Sequence, residues 1–275
     1  MVFACHQLPW THLVCTRHSG TNSQGLSLIV TGALSEVFSA LSGDSEGVII
    51  FGSFARGDYT EASDIDVIQI TPKRKRSYSS GRVSVAVYTQ TQLLKMARHG
   101  DLFAAHVVRE GKIIAGPQAL MTEIQSAFAP RASYEGFRGD LRAALPLIDV
   151  SPQLYQLRTK RYDSLVQFLL RSWVYSLLAD RGDYVFSMRE VADRLDDARL
   201  VVSLKNERDA GRTWSEFRDI VALTESYFGV VACNPWVTPE AFLVNTEPGL
   251  GRILALRLLN DTDVPLEYEP HEQSP

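Results

Sequence analysis

The pattern of apolar and polar positions divides the chain into a mixed first half and a helical second half. Apolar residues at helical spacing predict a helix over residues 26–41, which Gly43 ends. The unbroken apolar run at Gly47–Phe51 is typical of a buried strand. Alternation with a period of two predicts two more strands, over residues 65–71 and 82–89.

Helical periodicity continues through the rest of the chain, with one short strand among the helices. Up to residue 130, the pattern predicts helices over 91–98, 102–109 and 119–127 and a strand over 112–115. Beyond it, the pattern predicts helices over 137–145, 162–178, 188–195, 214–228 and 249–259. The sequence therefore predicts an N-terminal arm at 1–25, an α/β (α+β) domain with a small mixed sheet at 26–130, and an all-α helical domain at 131–275.

The composition is that of an ordinary globular protein. Of the 275 residues, 45% are hydrophobic and 22% are charged, which allows a sizeable core. No apolar run approaches the roughly 18–20 residues of a membrane span, and the N-terminus has no basic start followed by an apolar stretch. We therefore expect no contact with membranes. The three cysteines show no paired spacing, so we also expect a reducing, cytoplasmic setting.

One stretch combines a glycine-serine step with two closely spaced carboxylates. Gly52-Ser53 directly follows the first predicted strand, and ten residues separate it from Asp64, which with Asp66 begins the second. Glycine lets the backbone approach a bulky anion, and a helical turn after it directs N–H groups, the Ser53 hydroxyl and the Arg56 guanidinium at a triphosphate. Two aspartates two residues apart on a strand point to the same face. Their oxygens suit Mg²⁺ together with substrate phosphates.

This spacing resembles the DNA polymerase β-like nucleotidyltransferase superfamily, in particular its minimal and kanamycin-type members. The family's motif residues match Gly52-Ser53, Arg56-Gly57, Asp64 and Asp66. The resemblance covers residues 26–130. It implies two Mg²⁺ ions held by the aspartates, an NTP bound by Gly52, Ser53 and Arg56, and transfer of a nucleoside monophosphate to an acceptor hydroxyl.

The chain departs from the family pattern at the third strand, where the family commonly has another carboxylate. Residues 82–89 contain no acid. Acids elsewhere that are candidates for a replacement ligand or general base are Asp101, Glu110, Glu135 and Asp140. Coordination completed by phosphates and water is one alternative, and a catalytically weak nucleotide-binding module is another. A simpler interpretation, with the motif as two unrelated turns, leaves its fixed spacing after a buried strand unexplained.

The distribution of charge bears on the acceptor. The net charge is −4, and residues 131–275 carry 17 lysines and arginines against 22 aspartates and glutamates, whereas residues 1–130 carry 11 against 10. An acidic helical domain suits a cationic small molecule better than a polyanion, so we favour a small-molecule acceptor of the aminoglycoside kind.

A protein or tRNA acceptor, as in toxin–antitoxin and defence nucleotidyltransferases, stays open as the alternative. A basic run at residues 73–76 would favour it if that run lay beside the phosphate site. Four basic residues are interpreted either as ion-pair partners or as the lining of an acceptor cleft: Arg158, Lys160, Arg161 and Arg171. The apolar second half leaves room for a homodimer interface.

Overall fold

The computed structural model describes residues 23–60, 63–203 and 211–260. Its strands are β1 Gly47–Phe51, β2 Ile65–Ile70, β3 Tyr78–Ser80, β4 Val83–Tyr88 and β5 Lys112–Ala115. The helices before residue 130 are α1 Ser23–Ala40, α2 Gly52–Arg56, α3 Gln90–Arg98, α4 Leu102–Glu110 and α5 Gln118–Ala127. Those after it are α6 Glu135–Ala144, α7 Pro152–Leu157, α8 Thr159–Ala179, α9 Met188–Leu195, α10 Arg199–Ser203, α11 Trp214–Phe228, α12 Pro239–Asn245 and α13 Leu250–Leu259, with a 3₁₀ turn at Leu145–Ile148.

The contacts divide the chain into two units. The first ends at Ser39 and contains nearly all of α1, and the second begins at Ala40 and contains the other elements. The helix predicted over residues 26–41 is confirmed by α1, whereas the predicted arm lies almost wholly outside the described residues. The domain boundary near residue 130 stays a prediction. Within the described ranges, no helix is both long and apolar enough to cross a membrane.

The strands form one mixed sheet in the order β3-β4-β2-β1-β5, as the sequence predicts. β1 runs antiparallel to β2, and β2 runs parallel to β4. The end of β1 and the beginnings of β2 and β4 therefore meet at one edge of the sheet. There Asp66 pairs with Phe51 on one side and with Ser84 on the other. The residues that follow β1 and begin β2 are thus adjacent in space.

The basic run at residues 73–76 lies elsewhere than the sequence suggested. It follows the C-terminal end of β2, the end away from Asp66. At about 3.3 Å per residue, β2 carries the chain well over 10 Å from the edge that holds Asp66. The connection then returns through β3, an edge strand that the sequence pattern missed because it has only three residues. The idea that this run lies beside the phosphate site is therefore wrong.

Two clusters of buried side chains hold the described residues from β1 onward together, and α4 contributes to both. Phe103 and Val107 pack in the cluster that covers the sheet, while Leu102 and Ala105 pack in the larger cluster built around α8. A helix that is apolar on opposite faces is typical of a buried element. The end of α4 is consequently held from two sides, which matters because it lies beside the edge of the sheet described above.

The spacing of apolar residues did not predict α7, α10 and α12, which are five to seven residues long. Such segments are too short to show a repeat of 3.6 residues. α12 could have been found from its start signal, because the Thr238 side chain accepts a hydrogen bond from the Ala241 amide and Pro239 occupies the first helical position.

Gly100, between α3 and α4, provides a test of the packing. Its φ is +63°, and a Cβ there would overlap the Ala129 carbonyl oxygen and lie 2.8 Å from the Arg131 amide nitrogen. Gly100→Ala is expected to lower the free energy of unfolding by about 2–4 kcal/mol. Gly136→Ala, in α6 with open space around the new methyl group, should leave stability unchanged or raise it by up to about 1 kcal/mol. Urea denaturation measures the free energy of unfolding of both variants. Equal values would contradict the close packing of Gly100 against Ala129 and Arg131.

Candidate active site

The core of the site is the contact between Asp66 and Gly52. β1 delivers the chain to Gly52, which has φ +68° and begins α2. A Cβ at this position would lie 2.7 Å from Asp66 Oδ2. Only glycine both adopts this backbone conformation readily and leaves room for the carboxylate. The two ends of the sequence motif are therefore in contact in the fold.

The electrostatic surroundings of Asp66 mix burial with charges of both signs. Burial raises the pKa of its carboxyl group to about 6, with a smaller rise from the charge of Glu110. Arg171 and Arg56 act in the opposite direction and favour the ionised form. Asp66 is therefore a poorly solvated carboxylate on which two guanidinium charges and one carboxylate charge act.

Arg171 acts on this carboxylate from the helical half of the chain. It lies in α8, and among the neighbouring charges it has the largest effect on the pKa of Asp66. Its Nε atom is buried, with no hydrogen-bond partner among the described residues. The sequence left its role open between an ion pair and a cleft lining. By contrast, Arg161 donates to the Leu258 carbonyl oxygen, and Arg158 pairs with Glu240 at 3.4 Å.

The short helix α2 is held in place by contacts near its C-terminal end. Five residues are too few for a helix that is stable alone. Gly57, with φ +89°, ends it, and the Gly57 amide donates to the Ser53 carbonyl oxygen at 2.8 Å. The Lys112 ammonium donates to the Ala55 carbonyl oxygen. Arg56 Nη1 donates to Glu110 Oε2 at 2.5 Å.

The other predicted site residues lie on this same edge. Asp64 is half-buried and directly precedes β2, and Ser53 is half-buried in α2. On β4, the neighbour of Asp66 is Ser84, so the strand next to it supplies no third carboxylate. In the parts of the chain that the structure describes, three or more potential metal-ligating side chains do not gather at one place. The assignment of Asp64 and Asp66 as metal ligands remains a prediction.

Of the four acids considered as replacements for the missing carboxylate, the structure brings Glu110 to this edge. Asp101 pairs with Arg131 and Glu135 with Arg142. Asp140 lines a separate cavity of about 180 Å³ between α6 and the start of α13. Glu110 instead contacts Arg56, and its charge acts on Asp66. A signal for this in the sequence would have been its position at the end of α4, directly before the turn to β5.

Residues 33–108 match the family model of the nucleotidyltransferase domain. No curated protein matches the chain.

Two solved structures show distant likeness. The first is a spectinomycin adenyltransferase from Enterococcus faecialis, solved with ATP and spectinomycin, at 14% identity, with a TM-score of 0.34 and with 85% of this chain and 99% of that one covered. The second is a nucleotidyltransferase-like protein from Exiguobacterium sibiricum, at 17% identity, with a TM-score of 0.26 and 75% of each chain covered. Likeness at this level says nothing about the acceptor.

The matched residues include β1, α2, Asp66 and β4, but they end at residue 108 and so leave out Glu110 and Arg171. The motif, the mixed sheet that carries it and the family match agree. Residues 33–108 of the chain are therefore a nucleotidyltransferase domain.

Proposed function

We propose that this protein transfers a nucleoside monophosphate from an NTP to a hydroxyl group of an acceptor, with Mg²⁺ as the cofactor. The observation that carries the proposal is the Asp66 carboxylate, held against Gly52 under the influence of Arg56 and Arg171. Carboxylate and guanidinium groups at one sheet edge suit a metal-bound triphosphate, because each charge on the ligand meets its opposite.

The side chains present fit two Mg²⁺ ions only if the substrate completes the coordination. Asp64 and Asp66 would hold the metal, and phosphate and water oxygens would fill the remaining positions, as Mg²⁺ commonly requires. The bound metal would neutralise charge on the phosphates. The absence of an acid beside Asp66 on β4 keeps a catalytically weak nucleotide-binding module as the alternative function.

The chain's own residues bind and orient the nucleotide. Gly52 lets the backbone approach the phosphates, and the Ser53 hydroxyl and the guanidinium groups of Arg56 and Arg171 donate hydrogen bonds to them. The acceptor hydroxyl releases its proton to solvent, and its oxygen forms a bond to the α-phosphorus while the bond from that phosphorus to the bridging oxygen breaks and pyrophosphate leaves. Catalysis then rests on positioning and on neutralisation of charge.

For the acceptor we favour a cationic small molecule, as in the aminoglycoside enzymes. The acidic balance of residues 131–275 supports it. The location of residues 73–76 at the far end of β2 also removes one argument for a polyanionic acceptor. A protein or tRNA acceptor is the alternative. The proposal includes a cytoplasmic location, which the sparse cysteines support, and leaves room for a homodimer.

Transfer of label is the direct test of the activity. The protein is incubated with each α-labelled NTP, Mg²⁺ and one of three acceptor classes: aminoglycosides and related amines, total tRNA, and cell protein. We expect label in the small-molecule fraction, and EDTA or Asp66→Asn should reduce it at least about a thousandfold because the metal site is lost. Label in tRNA or protein would identify the alternative acceptor. Nucleotide binding without transfer to any class would support the binding module.

A matched pair of glycine variants tests the contact between Gly52 and Asp66. Gly52→Ala is expected to weaken binding of Mg²⁺–NTP at least about tenfold, because the new methyl group displaces the carboxylate. Gly57→Ala carries a similar backbone strain, with φ +89°, but has open space around its Cβ, so it should retain most of the binding. Calorimetric titration measures both. Equal losses of affinity in the two variants would mean that backbone strain in α2 causes the effect. That result would contradict the proposed role of the contact between Gly52 and Asp66.

The raised pKa of Asp66 predicts how stability depends on pH in the metal-free protein. Because the pKa in the folded state, about 6, exceeds the ordinary 3.8, the folded chain binds this proton more tightly. Protonation of Asp66 therefore stabilises the folded state at pH 4, and this stabilisation is lost as the pH rises through 6. Asp66→Asn should therefore gain about 2 kcal/mol of stability relative to the wild type between pH 4 and pH 8.

Addition of Mg²⁺ at pH 8 should stabilise the wild type and leave the asparagine variant unchanged, because a metal ligand binds as the ionised carboxylate. Urea denaturation across this pH range measures both effects. A constant difference between the two proteins at all pH values would contradict the environment described for Asp66.

A further inference from the structure

Glu110 joins two cationic or potentially cationic side chains through a single oxygen atom. Its Oε2 accepts a hydrogen bond from Arg56 Nη1 at 2.5 Å and one from His106 Nε2 at 2.7 Å. The three side chains are 10%, 22% and 18% exposed, respectively. Burial opposes ionisation of Glu110, but the hydrogen bonds and charges of His106 and Arg56 outweigh it and lower its pKa. Glu110 is thus an ionised, enclosed carboxylate whose contacts are with donors.

The Arg56 guanidinium would be poorly oriented without this contact. α2 consists of five residues, and Arg56 is the last of them. Its Nε donates to the exposed carboxylate of Asp58 at 3.2 Å, a contact open to solvent and therefore weak. Glu110 is the enclosed partner, and it is fixed by α4, whose two faces pack in the two buried clusters. A guanidinium group has five N–H donors, so these two contacts leave donors available for phosphate.

The orientation of Glu110 is in turn controlled by the surroundings of His106. The imidazole ring stacks on Phe186, with ring centroids 4.4 Å apart, and meets the edge of Phe51 at 5.2 Å. Phe51 directly precedes Gly52. On the other side, the Ser187 hydroxyl, next to Phe186, donates to Asp58 Oδ2 at 3.3 Å. The segment before α9 therefore contacts Asp58 directly and Glu110 through His106, and these are the two carboxylates that hold Arg56.

We propose that Glu110 is a positioning residue for the nucleotide site: it holds the Arg56 guanidinium at the triphosphate, and His106 holds Glu110. The inference rests on the proposed function, because it presumes that Arg56 binds phosphate. Because β4 has no acid beside Asp66, Glu110 is a candidate for a metal ligand or a general base. The inference assigns it neither role. The reason is that Glu110 Oε2 already accepts hydrogen bonds from two donors. In addition, the lowered pKa of Glu110 makes its carboxylate a weaker base.

A double-mutant cycle separates positioning from direct catalysis or coordination. The dissociation constant of ATP is measured by calorimetry with Mg²⁺ for the wild type, Glu110→Gln, Arg56→Ala and the double variant. A residue that acts through Arg56 loses its effect when Arg56 is absent. We therefore expect Glu110→Gln to weaken binding about tenfold, Arg56→Ala at least as much, and the double variant no more than about twofold beyond Arg56→Ala.

The matched control is Glu190→Gln, which makes the same change at an exposed position on α9 and should bind like the wild type. If Glu110→Gln proves unstable by thermal melting, His106→Gln leaves the carboxylate in place and should weaken binding several-fold, again only when Arg56 is present. Losses that add in the double variant, or unchanged binding in Glu110→Gln, would overturn the inference while leaving the proposed function intact. A wild type that binds no NTP would overturn the proposed function itself.

Discussion

The approach of a carboxylate to a glycine without a side chain is the constraint on which the site depends. Asp66 can lie against Gly52 only because β1 and β2 pair antiparallel, with Phe51 opposite Asp66. A shift of this register by one residue would turn Asp66 to the other face of the sheet. The register of the sheet therefore determines which side chain of β2 faces the start of α2.

A partly buried carboxylate costs free energy unless charges of opposite sign surround it. Here the compensation comes from two distant parts of the chain. Arg56 is held by the end of α4 through Glu110, and Arg171 arrives on α8. The helical half thus contributes charge to the edge of the sheet that holds Asp66. Since the buried Nε of Arg171 has no partner in the described parts of the chain, an anionic ligand would supply one.

Much of this could be predicted from local sequence. The strands β1, β2 and β4 have patterns that reflect burial on one or both faces, and the glycine-serine step and the aspartate pair carry their chemistry in their residue types and spacing. The missing acid of β4 was also evident, and the structure agrees, because Ser84 lies beside Asp66. The three-residue strand β3 was missed, since so short a segment carries no measurable alternation.

The amino-acid sequence by itself determined the types and order of the main elements and the residues that begin and end the motif, because these depend on neighbours along the chain. The tertiary structure decided which distant side chains join them. It placed Glu110 and Arg171 near Asp66, and it placed residues 73–76 at the far end of β2. Such placements follow from strand direction and helix packing, which are set by contacts between segments far apart in sequence and leave no periodic trace within either segment.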